Sequence, residues 1–253
     1  MAKDKTVSLN NGNRIPSQNQ VKVFQDSKIK FDLNIRNRDD LTEKQKALLE
    51  LILDKHTKVV FLSGPAGSSK SFCSILAGLQ LLQNRRVSSL YYVRPIVESA
   101  DAASKLGYLP GDQSDKLAPY STVLEEKLAE MLPEGDIKKL KAEDRLNVIP
   151  VNYARGANWA AKYIFVDEAQ SYSLGEIKTL LTRIAGHSKM VIAADPDQSD
   201  LPLAKQGGFN KIIESFNNED AQSHGIFCVK LDEEDIVRSS ICKYIVTKFK
   251  EIK

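Results

Sequence analysis

Three clusters of residues carry the chemistry this sequence could perform. The first is Gly64-Pro65-Ala66-Gly67-Ser68-Ser69-Lys70-Ser71, where two glycines permit a tight loop and a lysine and a hydroxyl close it. The backbone N–H groups of such a loop point inward at a phosphate. Its lysine reaches the β- and γ-phosphates, and its serine hydroxyl ligates Mg²⁺. The second cluster is Asp167-Glu168. One carboxylate is suited to hold Mg²⁺ through water, and the next to polarise an attacking water as general base. The third is Asp195-Pro196-Asp197-Gln198, whose neutral amide at Gln198 could sense a γ-phosphate without repelling it. Each has a plainer reading. A glycine-rich turn can bind nothing, an acidic pair commonly just ends a strand, and Gln198 can be a turn residue. The acidic pair stands about 100 residues beyond the loop, which favours the functional reading of both.

The surrounding pattern shows what must position these groups. Val59-Val60-Phe61-Leu62-Ser63 is an apolar run that enters the loop as a buried strand, and Phe72–Gln83 leaves it with helical spacing and no proline. The helix N-terminus adds partial positive charge behind the loop. Tyr163-Ile164-Phe165-Val166 and Lys189–Ala194 are further buried strands that deliver Asp167-Glu168 and Asp195 at their C-terminal ends, the edge where open α/β sheets bind ligands. Ser88–Val93, Val148–Val151 and Ile226–Val229 read as strands as well. Helices are expected at Leu41–Lys55, from Thr122 to a stop at Pro133, from Ser173 to Ala185 with Gly186 ending it, and at Ile236–Phe249. The alternation predicts an α/β fold with a mostly parallel sheet and helices on both faces, carrying an insertion at about residues 96–147.

Two positions have competing roles. Thr42-x-x-Gln45 has capping-box spacing, so Gln45 can close a helix start; its amide can equally read adenine. Ser69 stands where the phosphate-binding pattern carries glycine. A Cβ is harmless there if the residue is already helical, but crowds the phosphates if φ must be positive.

Composition narrows the class. Hydrophobic residues are 42% and charged residues 27% of 253, which fits a soluble domain with a real core. No apolar run approaches a membrane span, and no apolar signal segment follows the N-terminus. Three widely spaced cysteines imply no disulfide framework and suit a reducing cytoplasm. The three histidines lack metal-ligand spacing. Net charge is only +3, but residues 1–38 carry eight Lys/Arg against three Asp, a balance of +5. That segment reads as a polar basic N-terminal arm, solvated and partly disordered, with a polyanion or a neighbouring subunit as the alternative contact. Trp159 and the tyrosines at 91, 92, 108, 120 and 153 could stack on bases, but core or interface packing is the expected role of most of them.

Together, Gly64–Ser71, Asp167-Glu168-Ala169-Gln170 and Asp195-x-x-Gln198 resemble the PhoH family of P-loop ATPases, itself similar to the first RecA-like half of superfamily-one helicases. Arg94-Pro95-x-Val97-Glu98, Leu106–Asp112 with Lys116 and Pro119-Tyr120, Tyr153-Ala154-Arg155-Gly156, Leu181-Thr182-Arg183 and Asp200-Leu201-Pro202 resemble blocks of the same family, so the likeness spans roughly residues 41–245. Members occur in bacteria and their phages. The resemblance implies a single RecA-like ATPase domain over residues 39–253. It implies ATP and Mg²⁺ as cofactors, with Gln45, Gly64, Pro65, Ala66, Gly67, Ser68, Ser69, Lys70, Ser71 and Phe72 holding nucleotide. Ser71 and Asp167 would hold the metal, and Lys70, Asp167, Glu168 and Gln198 would act in hydrolysis to ADP and phosphate. It tilts Gln45 toward adenine. Glycine is the family's residue where Ser69 and Ala194 stand; both replacements are small, so nucleotide binding is expected to survive.

The resemblance also implies a deficit. Helicases of this superfamily trap nucleotide between two RecA-like domains, the second giving an arginine, and this chain has one such domain. A homo-oligomer, such as a hexameric ring, would place each subunit's arginine at its neighbour's ATP. Arg238 is the candidate, with Arg183 and Arg155 as rivals; its plain alternative is a surface pair with Asp235. The expected function is a cytoplasmic, helicase-like ATPase on single-stranded RNA or DNA, in a bacterium or a phage-infected host. The alternative is an ATP-gated binding module with little hydrolysis.

Overall fold

The apolar runs assemble into one sheet whose strands are all parallel. The computed structural model describes residues 32–36, 38–95, 113–199, 208–237 and 239–251. The strands are β1 (Val59–Ser63), β2 (Ser89–Val93), β3 (Leu146–Val148), β4 (Lys162–Val166), β5 (Lys189–Ala194) and β6 (Ile226–Lys230), in the order β3-β2-β4-β5-β1-β6. Each neighbouring pair runs parallel, with Val60 opposite Val191 and Phe227, and Tyr92 opposite Phe165. The helices are α1 (Glu43–Leu53), α2 (Lys70–Gln83), α3 (Gln113–Ala129), α4 (Glu134–Ala142), α5 (Leu174–Leu181), α6 (Gly208–Phe216), α7 (Glu219–Ser223) and α8 (Ser240–Glu251). This is the α/β architecture of a P-loop NTPase, with β5 inserted between the strand that enters the glycine loop and the strand that ends in Asp167.

Strand parity explains why the central strands read as unbroken apolar runs. Val60, Leu62, Tyr92, Tyr163, Phe165, Val191 and Ala193 pack on one face with α1 to α4. Val59, Phe61, Val93, Ile164, Val166, Met190 and Ile192 pack on the other with α5 and α6. With both faces covered, neither parity can be polar. The P-loop helix lies very close to β4. A Cβ at Gly78 would come within 2.6 Å of the Tyr163 ring, and Tyr163 Oη donates to the Ser74 carbonyl at 2.6 Å.

Several boundaries differ from the sequence expectation. Helix α3 starts at Gln113 and runs through Pro119, so Thr122 lies inside it. Burial of Leu124 and Leu128 in the core, where α3 packs against α4 and β3, outweighs the local proline signal. Pro133, expected as a stop, is the N-cap of α4. Helix α5 ends at Leu181, short of Ala185, because a bridge captures the chain: Trp159 N donates to Arg183 O and Ala185 N to Trp159 O, each at 2.9 Å. Strand β3 lies upstream of the expected Val148–Val151, since Pro150 has no N–H to give a ladder and opens a 3₁₀ turn at Val151–Ala154. Before α8, a separate 3₁₀ turn at Glu233–Asp235 is capped by Asp232, so the last helix starts at Ser240 and not at Ile236.

Residues 1–31 lie outside the described part, but the end of the expected arm packs on the domain. Leu33 is 4% exposed, Asn34 N donates to Asp136, and Arg36 N donates to Met131 O. The domain therefore reaches back at least to Leu33, not only to residue 39. Among the described residues no helix is long and apolar enough to cross a membrane.

Candidate functional site

The C-terminal ends of β1, β4 and β5 bring the three clusters together. The glycine loop is tied to both neighbouring strands, with Gly64 N donating to Ala194 O at 3.2 Å and Leu231 N to Ser63 O at 2.8 Å. The Ser68 hydroxyl folds back on Pro65 O at 2.8 Å. Gly67 has φ +81°, and Ser69, the N-cap of α2, has φ +60° and offers no side-chain cap. The left-handed alternative for Ser69 is thus the one realised, at a cost of ~1 kcal/mol that glycine would avoid.

Lys70 Nζ donates to Gly64 O at 2.6 Å and Pro65 O at 2.8 Å, so its ammonium sits in the cup of its own loop. Burial lowers its pKa, while Asp195, Asp167 and Glu168 pull in the opposite direction. The Ser71 hydroxyl donates to Asp167 Oδ1 and Oδ2 at 3.1 and 3.2 Å. Asp167 is 3% exposed and also accepts from Tyr92 Oη at 2.9 Å and Glu168 N at 3.2 Å. Burial, and secondly Asp167, push the Tyr92 phenol far up, so it stays a donor. Lys127 Nζ stands 3.7 Å from Asp167 Oδ2.

Glu168 also has positive φ, +53°. Its carboxylate accepts from Gln170 Nε2 at 2.7 Å and lies 3.9 Å from the Arg94 guanidinium. Gln170 Oε1 in turn accepts from Asp195 N at 3.0 Å, linking the ends of β4 and β5. Burial raises the Asp195 pKa, and Lys70 opposes that shift. Gln198 is exposed on the 3₁₀ turn Pro196–Gln198 that follows β5.

Gln45 is fully buried, and its amide is engaged at both ends. Oε1 accepts from Thr42 N at 3.0 Å, and Nε2 donates to Ser68 O at 3.2 Å and Asp235 O at 2.8 Å. It joins the capping box of α1 to the loop and to the turn before α8. An adenine contact would have to displace one of these bonds. Phe72 is 9% exposed and carries the Arg38 guanidinium over its ring at 4.8 Å. Arg238 lies outside the described residues. Asp235, the local partner named for it, accepts from Thr42 Oγ1 at 2.5 Å and from Asp232 N at 2.9 Å. Among the rivals, Arg183 bonds Thr179 O and Thr182 Oγ1, and Arg155 is exposed.

Sequence reasoning gave Tyr92 a packing role, placed Arg94 and Gln170 in family blocks without a task, and passed over Lys127. A signal existed for Tyr92: parity and register put it on the face shared by Phe165 and Asp167. Lys127 comes from the insertion, and no local pattern marked it.

Residues 38–250 match the PhoH-like protein family. The chain belongs to the PhoH family. It is 31% identical over 195 residues to the PhoH-like protein of Bacillus subtilis (strain 168), covering 77% of this chain and 59% of that one. The PhoH-like protein of Synechocystis sp. is 32% identical over 208 residues, covering 82% and 61%. Protein PhoH2 of Mycolicibacterium smegmatis is 28% identical over 241 residues, covering 94% and 52%. The chain thus spans between half and two thirds of the length of these PhoH relatives. Among solved structures, the large terminase from a thermophilic bacteriophage aligns with a TM-score of 0.47 at 10% identity, over 84% of this chain and 50% of that one.

Proposed function

We propose that this PhoH protein is an Mg²⁺-dependent ATPase that works as a homo-oligomer on single-stranded RNA or DNA. The observation that carries the nucleotide reading is the direct contact of the Ser71 hydroxyl with the Asp167 carboxylate, beside Lys70 at the end of a glycine loop. One carboxylate and one hydroxyl suit Mg²⁺, which takes few protein ligands and completes its shell with phosphate and water. Among the described residues no group of three or more His, Cys, Asp or Glu could hold a metal alone, so the ion is expected to arrive with nucleotide. Bound there, Mg²⁺ would neutralise charge developing on the phosphates.

Lys70 moves from the loop carbonyls to the β- and γ-phosphates, and α2 adds the partial charge of its first turn. Glu168 accepts a proton from the attacking water, held in place by Gln170 and Arg94. Gln198 faces the third phosphate from the end of β5. Arg238 of one subunit completes the site of the next. Single strands cross the C-terminal edge of the sheet, with the basic residues before Asp32 as further phosphate contacts. Arg36 and Arg38 already serve the domain.

The test is phosphate release with and without single-stranded RNA and DNA. Glu168→Gln should bind ATP and lose about 10²–10⁴-fold in turnover. Mixing Glu168→Gln with Arg238→Ala should restore activity once subunits exchange; exchange without activity removes Arg238 from the site. Deleting residues 1–30 should weaken RNA binding at low salt. The second reading, a nucleotide-gated binding module, draws on Lys70 and Ser69, which hold the loop in a self-bonded, strained form. It prevails if ATP binds and no nucleic acid elicits phosphate release.

A further inference from the structure

Asp167 is a nearly buried carboxylate whose close partners are mostly neutral: the Ser71 and Tyr92 hydroxyls and its neighbour's N–H. A buried carboxylate needs a cation nearby. Lys70 is committed to the carbonyls of its own loop. The ammonium that meets Asp167 is that of Lys127, at 3.7 Å from Oδ2. It comes from the last turn of α3, far from every phosphate-binding motif in sequence. Helix α3 is anchored firmly enough to aim it. Leu124 and Leu128 are 3% and 0% exposed, and Glu125 pairs with Lys141 of α4 at 2.7 Å. The Lys127 charge is also felt at Lys70, whose pKa it helps to lower.

We propose that Lys127 is a built-in counter-cation of the metal site, holding the Asp167 carboxylate in the nucleotide-free protein and competing with Mg²⁺ for it when nucleotide binds. The inference rests on the nucleotide reading above. Two cations cannot share one buried carboxylate without repulsion, so Lys127 and Mg²⁺ weaken each other at this position. Without metal, the lysine side chain has the length and freedom to serve the phosphates instead. The protein therefore holds metal-free nucleotide better, and gains less from Mg²⁺, than a site with Ser71 and Asp167 alone.

The experiment is a thermodynamic cycle read by calorimetry. An imido-bridged ATP analogue, which is not hydrolysed, is titrated into the full chain in excess Mg²⁺ and again in EDTA. The quantity compared is the ratio of the two dissociation constants within each protein, so a general loss of binding-competent protein largely cancels. Lys127→Met should raise that ratio at least about tenfold, chiefly by weakening binding in EDTA. Lys127→Arg, which keeps the charge, should return the ratio toward wild type. A ratio within twofold of wild type in Lys127→Met, with the analogue still bound in Mg²⁺, overturns the proposal. Failure of the wild-type protein to bind the analogue in Mg²⁺ overturns the nucleotide reading itself.

Discussion

Lys70 and Lys189 sit at opposite ends of two neighbouring strands, and each is bonded to two backbone carbonyls. Lys70, half-buried, follows the loop after β1 and donates to Gly64 and Pro65. Lys189, buried at the start of β5, donates to Asp54 and Thr57. Burial lowers the pKa of both, that of Lys189 to about 8. Their company differs. Around Lys70 stand Asp195, Asp167 and Glu168. Around Lys189 stand Arg86 and Lys58, with Asp54 as the opposing charge. The carbonyls differ too. Those of Lys70 belong to its own loop, whereas Lys189 closes the C-terminal end of α1, where Arg86 also donates to Leu53 O. A cation that is removed from water is therefore not by itself a site. Lys70 has partners an incoming phosphate can replace, and Lys189 has partners only the fold supplies.

The largest effect should separate the two lysines by ligand. Lys70→Met should weaken ATP binding by about 100-fold or more, the scale for losing a buried charged partner. Lys189→Met should leave it within about threefold. Equal losses in calorimetry would erase the distinction. In urea unfolding the order should reverse. Lys189→Met leaves the Asp54 and Thr57 carbonyls without their donor and should cost about 2 kcal/mol, with Lys70→Met costing less.

A smaller effect follows from pH. The folded pKa of Lys189, about 8, lies below its ordinary 10.5. Between those values the unfolded chain still binds the proton that the folded chain has released, so this group's contribution to stability rises with pH across that window. Below it, lysine is charged in both states and the burial cost is fully present. The unfolding-midpoint gap between wild type and Lys189→Met should therefore widen from pH about 7 to about 10, and a gap that narrows would reverse the sign. Smallest of all, Ser69→Gly should relieve the positive φ, offset by glycine's greater freedom when unfolded, for a net gain of about 0.5 kcal/mol. It should also raise turnover; an unchanged or lower rate would show that the strain does not limit hydrolysis.

What the sequence disclosed was local. The strand entering Gly64, the carboxylates at the end of β4 and the Thr42 capping box all lie within stretches short enough for spacing to specify them. Ser69 showed its limit: residue type posed the question of φ, but only the closure of the loop between Ala194 and α2 settled its sign. Gln45 showed another, because one amide can serve a cap and a distant carbonyl together, and Asp235 is 190 residues away. The short α5 depended on Trp159, and the reach of Lys127 depended on how α3 packs. Each is a long-range contact with no periodic trace in the chain.

The notch at Gly78 bears on how this protein could turn binding into movement. Helix α2 rests on the Tyr163 ring at a point where even a methyl group has no room, and the tyrosine hydroxyl bolts it to Ser74. Sliding or rolling of a helix seated this way would drive it into the ring or break that hydrogen bond. A displacement at the phosphate end would then be taken up in the six residues before Lys70, or carried by α2 and β4 together. The P-loop helix and the strand that ends at Asp167 and Glu168 are thus joined at this point, so the phosphate loop and the two carboxylates share one seat.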